Sequence, residues 1–487
     1  MSRKEQTMKK WQCMATAMFL ILGLGVSWGQ EGSGQPPTDS TSPPRDNAPA
    51  PAFGQDNPPL AADDNPPLSS LDSPSLEPHA AARSFLLPSA RVSQSVDSNL
   101  SGTSGNSAVH GVTRALGTIM LQRMWRHYET ALDYSGGTAV YSGFNKRFNQ
   151  IHQLMGEQRI LWRTGQLALR DSFSYLPEGT FGYGSYGGTG GYQSGLGGMG
   201  GGISGGSVGG IFGAGQFASL GQVPRITNSA VVDITEALTP RSSVTMAGGY
   251  GLVHFTGNNP AGFINSRQLS AQAGYNYQLN RKDQVALLYG FQDFHYPQVT
   301  GGSFLTHVVH VLYGHQISGR MNLVLGVGPQ LTIIDNPQLG SARRLSLSGR
   351  ASLRYRFPRA SVGLSYDRFN TNGSGFFLGA TSDVARFDVT RPLTRLWTIN
   401  GDVGYSRNRH ILPQVTGVTA QSFQYLYVGG AAHRQLGRYF GMYFSYQFDN
   451  IAFDKSFCTT PGPCGSSSQR HVASIGLDWH PRPIRLD

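Results

Sequence analysis

From about residue 89 onward the chain reads as a succession of strands with one apolar and one polar face. In 267–279, Leu269, Ala271, Ala273, Tyr275, Tyr277 and Leu279 alternate with Gln268, Ser270, Gln272, Gly274, Asn276 and Gln278. Met321, Leu323, Leu325, Val327, Leu331 and Ile333 alternate in the same way with Asn322, Gly326, Gly328, Gln330 and Thr332, and the split returns at 360–367 and 397–406. Such alternation marks β-strands, whose successive side chains leave opposite faces. The runs are about 10 to 14 residues long, against roughly 5–6 for strands in soluble sheets, and suit a tilted membrane crossing.

The breaks between runs carry a second rhythm. Arg91, Arg126, Arg163, Arg241, Arg281, Arg320, Arg359, Arg395, Arg438 and Arg482 recur at intervals of roughly 40 residues, nearly all in short polar breaks, with one interval doubled by a glycine-rich insert. Two strands per interval make a chain of antiparallel hairpins. Breaks such as 279–283 and 357–359 are tight, whereas 255–264, 295–303, 334–344, 370–379, 408–420 and 452–469 are long. Tyrosine and phenylalanine crowd the strand ends, as in Tyr425-Leu-Tyr427, Tyr439-Phe440 and Tyr443-Phe444, where interfacial girdles belong. These features predict an all-β fold, a transmembrane antiparallel up-and-down β-barrel of about 18 strands. Sixteen is the alternative, because the first strand (Arg91 to Asn99) and the second interval are less cleanly patterned. An even count puts both ends of the barrel on the short-turn side, and this size leaves an aqueous lumen.

The segment before the barrel is of another kind. Met14–Trp28 is an apolar run after Arg3, Lys4, Lys9 and Lys10, which predicts a signal peptide over 1–29. Residues 30–86 are rich in Pro, Ser, Asp and Ala, with Asp-Asn-Pro-Pro-Leu at 56–60 and again at 64–68. That composition buries no core and predicts a disordered spacer, too short and too polar for a plug domain. The barrel is expected to fill 87–487, with a glycine-rich long loop at 178–222.

The signal peptide, the hairpin repeat and the last strand Ala473-Ser-Ile475-Gly-Leu477-Asp-Trp479 resemble outer-membrane β-barrel proteins of diderm bacteria, porin-like in size. The resemblance covers about 89–481 and is one of architecture. It implies residence in the cell outer membrane, with outer-membrane lipid and the barrel-assembly machinery as partners, and it allows a homo-oligomer. The sequence departs from that pattern in one respect: Trp479 is followed by His-Pro-Arg-Pro-Ile-Arg-Leu-Asp, where the usual terminal aromatic is the last residue.

Charge narrows the function classes. Only 14% of residues are charged. Removing 1–29 takes four basic residues and Glu5 from the formal +11 and leaves +8. The arginines are spread over turns and strands with no basic helix or arm, which argues against nucleic acid. No nucleophile motif stands in a strand–turn–helix context, and His307 and His310 face opposite ways on one strand, a poor ligand pair. No enzyme activity, metal or cofactor is expected, and an outer-membrane hydrolase is the least favoured reading. Cys458 and Cys464 flank a Pro-Gly turn and are expected to form a disulfide in an oxidising compartment.

The polar faces identify the lumen. Arg350, Arg354 and Arg356 share one face of their strand, and Glu129, Asp133, Glu157, Arg159, Arg170, Asp233, Asp367, Arg386, Asp388, Asp402, Asp449 and Asp478 also point inward by parity. Arg350, Arg354, Arg356, Asp367, Arg386, Asp388 and Asp402 are the candidates for setting selectivity, since mixed charged walls bias which ions pass. The alternative is ordinary solvated wall residues paired across strands. The glycine-rich loop resembles in position the loop that narrows general porins, with Tyr183, Tyr186, Tyr192, Phe212 and Phe217 as wall or solute contacts. The entropy of its glycines favours a mobile loop instead. The leading expectation is a channel for passive diffusion of small hydrophilic solutes or ions, and the second a non-conducting structural or surface-interaction barrel.

Overall fold

The computed structural model describes residues 67–70, 84–100, 108–142, 148–176, 224–256, 263–336, 340–412, 420–455 and 467–486. The expected signal peptide, the glycine-rich loop with Tyr183, Tyr186, Tyr192, Phe212 and Phe217, and the Cys458–Cys464 pair lie outside them.

Eighteen long strands follow one another: β1 Phe85–Asp97, β2 His110–Met124, β3 Tyr128–Tyr141, β4 Phe148–Leu161, β5 Gly165–Leu176 and β6 Arg225–Thr239. Next come β7 Ser242–Phe255, β8 Ser266–Gln278, β9 Asp283–His295, β10 Ser303–Ser318, β11 Met321–Asn336 and β12 Gly340–Phe357. The last six are β13 Ala360–Thr371, β14 Ala380–Pro392, β15 Trp397–His410, β16 Ser422–Gln435, β17 Phe440–Phe453 and β18 Ser467–Trp479. Each pairs antiparallel with its sequence neighbour, and β1 pairs with β18 from Ala90↔Trp479 to Asp97↔Val472, which closes the sheet into a barrel. The count of 18 holds, and the alternative of 16 does not. Closure leaves no long sheet edge, so the backbone hydrogen bonds of the crossing are satisfied within the sheet, as lipid demands. Among the described residues no helix is long and apolar enough to cross a membrane; strands do the crossing.

The alternation has the sense that a bilayer requires. Leu269, Leu287, Val311, Val327, Leu364 and Leu477 are each at least half exposed, while Gln268, Ser270, Gln292, Thr306 and Gln330, on the opposite face, are buried. Apolar side chains thus point out to lipid and polar ones line the inside. Exposed Trp125, Tyr128, Trp162, Phe357, Phe440 and Trp479 ring the short-turn end. Higher on the outer face, Tyr134, Tyr289 and Tyr446 each bond a histidine of the adjoining strand, His152, His307 and His471, at 2.8–3.0 Å. The ring at the short-turn end marks one border of the apolar band, and the tyrosine–histidine pairs lie at mid-strand. Val327→Arg, which sets a charge between exposed Leu325 and Val311 on that band, should cost about 2–4 kcal/mol. The folded, heat-modifiable fraction in lipid vesicles reads the effect; an unchanged fraction would contradict the lipid-facing assignment.

Several sequence expectations need correcting. Arg91, where the first strand is expected to start, lies within β1, faces inward and pairs with Asp478 of β18, the exception among the arginines of the breaks. The first strand begins at Phe85, ahead of the expected Arg91. Tyr425 and Tyr427 are not girdle residues but inward-facing and 2% exposed, and Tyr443 is likewise buried inside. The long break expected at 334–344 belongs mostly to strand, because β11 and β12 run on to Asn336 and from Gly340. Residues 341–345 are exposed on both faces, and where both faces are wet the alternation that marks a strand fades. Of the residues after Trp479, Ile484 and Arg485 form a short β19 that pairs with Leu86 and Phe85, extending the seam.

Candidate functional site

The inner wall carries its charges where parity placed them, and most are held in networks. At the seam, Arg470 of β18 donates from Nε to both carboxylate oxygens of Asp97, at 3.0 and 2.9 Å. Arg91 pairs with Asp478 beside it, and Arg114 of β2 donates to Ser95 at 2.6 Å. A second network spans β4 to β6: Arg159 and Arg170 share Glu157, and Arg170 reaches Asp233 at 2.5 Å. Asp449 accepts from Tyr425 and Gln447, each at 2.9 Å. These groups are wall structure, the paired reading of an inward charge.

The arginine stripe of β12 differs. Arg350 stands opposite Gly326 and Asp367 in register, with Arg386 and Asp388 one strand further and Asp402 beyond them. The structure thus brings all seven candidate residues onto four adjoining strands. Among the described residues Arg350 and Arg354 form no ion pair within 4 Å, and Arg354 and Arg356 are exposed. Nine strands around the ring, on β3, Glu129 and Asp133 point inward near the same short-turn end. The arginine stripe and the acidic pair thus stand on opposite walls of the barrel.

The sequence reading missed the closure at the opposite, long-loop end. The β13–β14 connection, 372–379, folds inward instead of outward. Gly373, Gly375 and Gly379 all have positive φ, at 79°, 82° and 79°, which lets the loop turn tightly at no steric cost. It delivers Phe376, Phe377 and Leu378 into the barrel, at 1%, 0% and 3% exposure. Phe376 lies 5.4 Å from Phe263, 5.3 Å from Phe423 and 5.5 Å from Phe453, all edge-on. The cluster joins Val253 and Phe255 of β7 to Phe423 and Tyr425 of β16, nine strands apart, so it bridges the barrel.

Polar contacts fix the loop. Ile264 donates its backbone N–H to the Gly375 carbonyl at 2.9 Å, and Asn372 donates to Ser266 at 3.0 Å. At its foot Asn370 donates to Thr306 and Thr332 at 3.0 and 2.9 Å and accepts from Thr381 at 3.0 Å. Tyr296, in the β9–β10 loop, donates to the Asn372 carbonyl at 3.3 Å; burial pushes its phenol well above the ordinary range, so it remains a donor. The signal in the sequence was present: three consecutive apolar residues inside a loop, flanked by glycines, have no reason to face water.

His307 and His310 face opposite ways as expected, the first bonding Tyr289 outside and the second Ser348 inside. Among the described residues no group of three or more His, Cys, Asp or Glu is placed to hold a metal.

A closed, even-stranded barrel with an apolar outer band, aromatic girdles and a polar, charged interior defines a transmembrane β-barrel of the bacterial outer-membrane class, porin-like in size. No family model and no curated relative matches the sequence. Among solved structures the chain is similar to Pseudomonas aeruginosa OccK2 (OpdF) in complex with glucuronate, at 10% identity and a TM-score of 0.42, over 83% of this chain and 98% of that one. It is similar also to OpdK with vanillate from the same organism, at 9% identity and a TM-score of 0.39, over 81% and 99% of the two chains.

Proposed function

We propose that the protein is an outer-membrane channel for passive diffusion of small hydrophilic solutes or ions, with its selectivity set on β12. The observation that carries this reading is the Arg350, Arg354, Arg356 stripe facing Glu129 and Asp133 across a polar lumen. A wall that served only to be solid would set Arg350 and Arg354 in ion pairs within 4 Å, as the seam and the β4–β6 network do with theirs. Single-channel recording in planar bilayers tests it, and folded protein without any conductance would overturn it. Replacing Arg350, Arg354 and Arg356 together with Gln should lower the anion-to-cation permeability ratio by roughly two- to five-fold. An unchanged ratio would remove the stripe from the selectivity mechanism. A second reading, a non-conducting surface barrel, is favoured by the aromatic bridge at the long-loop end; it predicts that no current appears even when that bridge is cut.

A further inference from the structure

Residues 67–70 belong to the segment expected to be a spacer, yet they are packed against the inner wall of the barrel. They form a turn in which Ser70 donates its N–H to the Pro67 carbonyl at 3.0 Å. Leu68 and Ser69, at its corner, are 5% and 2% exposed. Leu68 packs on Ala286, Leu312 and Val324, with Leu288 alongside, all inward-facing positions of β9 to β11. These four make an apolar patch at the short-turn end of the wall, with inward Gln284, Asn276 and Asn322 around it.

Ser69 uses its main-chain groups and its hydroxyl alike. Its N–H donates to Asn276 Oδ1 at 3.0 Å, and its carbonyl accepts from Gln272 Nε2 at 3.1 Å and Thr245 Oγ1 at 3.3 Å. Its Oγ accepts from Asn276 Nδ2 at 2.6 Å and shares a 2.5 Å hydrogen bond with Thr245 Oγ1. Two glycines of the wall leave the space. A Cβ on Gly274 would lie 2.4 Å from the Ser69 side chain, and one on Gly314 would lie 2.7 Å from Leu68.

We propose that this hollow on β7–β11 is a peptide-binding site, specific for a turn with leucine followed by serine, and that the chain's own Pro67–Ser70 is its resident ligand. The wall reads what any peptide offers, one N–H and one C=O, and adds an apolar cup for leucine and two polar side chains for a hydroxyl. The two Asp-Asn-Pro-Pro-Leu copies are not equivalent in this respect: Ala61 and Ala62 follow Leu60, whereas Ser69 and Ser70 follow Leu68. Only the second supplies the hydroxyl. The tether is long enough, since the 14 residues from 71 to 84 span up to ~50 Å when extended. The seat lies at the short-turn end, where Val324 adjoins Asn322, the register partner of Arg354. A seated turn therefore occupies the lumen beside the arginine stripe.

The site stands independently of whether the lumen conducts, and its test reads binding. In hydrogen exchange of the full chain in micelles, the amides of 69 and 70 should exchange at least about ten-fold slower than the unprotected rate, because Ser69 is bonded to the wall and Ser70 to Pro67 within the seated turn. Gly314→Leu, which fills the cup, should return them to the unprotected rate while β10 amides stay protected. Loss of β10 protection would mark misfolding, and Asn276→Ala, which removes the amide's acceptor without adding bulk, then gives the same reading. Fast exchange at 69 and 70 in the unaltered chain, or protection that survives both substitutions, overturns the proposal. Recognition is tested with the synthetic peptide Asp-Asn-Pro-Pro-Leu-Ser-Ser, offered at roughly millimolar concentration, the range a short tether supplies in cis, to the Leu68→Asp chain. Saturation transfer to this peptide, and none to the version with Asp in place of Leu, is expected; equal transfer to both overturns the specificity.

Discussion

Arg470→Ala is expected to destabilise the barrel by about 3–5 kcal/mol, the loss typical when one partner of a buried ion pair is removed. Arg470 is 6% exposed and Asp97 fully buried, and the guanidinium also stands in register with Asp449 of β17, itself fully buried. Without the arginine, two carboxylates are left inside the seam with no cation between them. Among the described residues Asp97 then keeps the Asn99 backbone N–H at 3.0 Å, a neutral donor. Urea unfolding in vesicles, followed by loss of the heat-modifiable band, measures the change. Arg470→Lys should recover part of it, since lysine restores the charge but not the planar fork that bridges both oxygens. If Arg470→Ala unfolds at the denaturant concentration of the unaltered chain, the pair contributes nothing and the seam is held by its strand ladder alone.

Phe376→Ala should release the β13–β14 loop from the lumen and raise single-channel conductance several-fold. The expectation follows from where the side chain's stability comes from. Truncating a buried phenylalanine costs about 3–5 kcal/mol, a loss of the same order as the whole set of polar contacts that hold the loop to Ile264, Ser266, Tyr296, Ile411 and Leu412, near 1 kcal/mol each. Phe376 touches rings from both sides of the barrel, Phe263 on one and Phe423 and Phe453 on the other. Gly375→Ala attacks the same loop through the backbone: its φ of 82° is strained for alanine, and the added Cβ would lie 2.7 Å from the Phe255 ring. Both variants should act in the same direction. Conductance equal to that of the unaltered chain in both would show that solute passes beside the bridge and that the loop is no barrier.

What the sequence made legible follows from what the solvent enforces. Lipid accepts only apolar side chains, so Leu269, Leu287, Val311, Val327 and Leu477 had to fall at every second position, and the strand count and closure follow from them. The inward charges were equally legible by parity, Arg350 and Asp367 among them. The lumen enforces no such rule, because an inward residue meets water, another wall residue or an inserted segment. Tyr425 and Tyr427 were misplaced for that reason: aromatics near a strand end fit a girdle, and only the outward Leu426 and Val428 between and after them give the parity away. The inserted loop and the seated turn were not read because both lie in stretches without alternation. The trace of the seated turn was on the receiving side, where apolar Ala286, Leu312 and Val324 face inward.

The seam sets the order in which the barrel is built. Every other strand pairs with its neighbour in the chain, so those hairpins close over a handful of residues, save where a long loop intervenes. The β1–β18 ladder instead joins positions such as Arg91 and Asp478, 387 residues apart. Contacts of such separation form last, since loop closure must precede any gain from them. Until they form, the sheet carries two open edges, one of them ending in the inward carboxylate of Asp97. The Arg470 contact and the β19 extension therefore act late and locally, fastening a curved sheet whose other seventeen joints are already made.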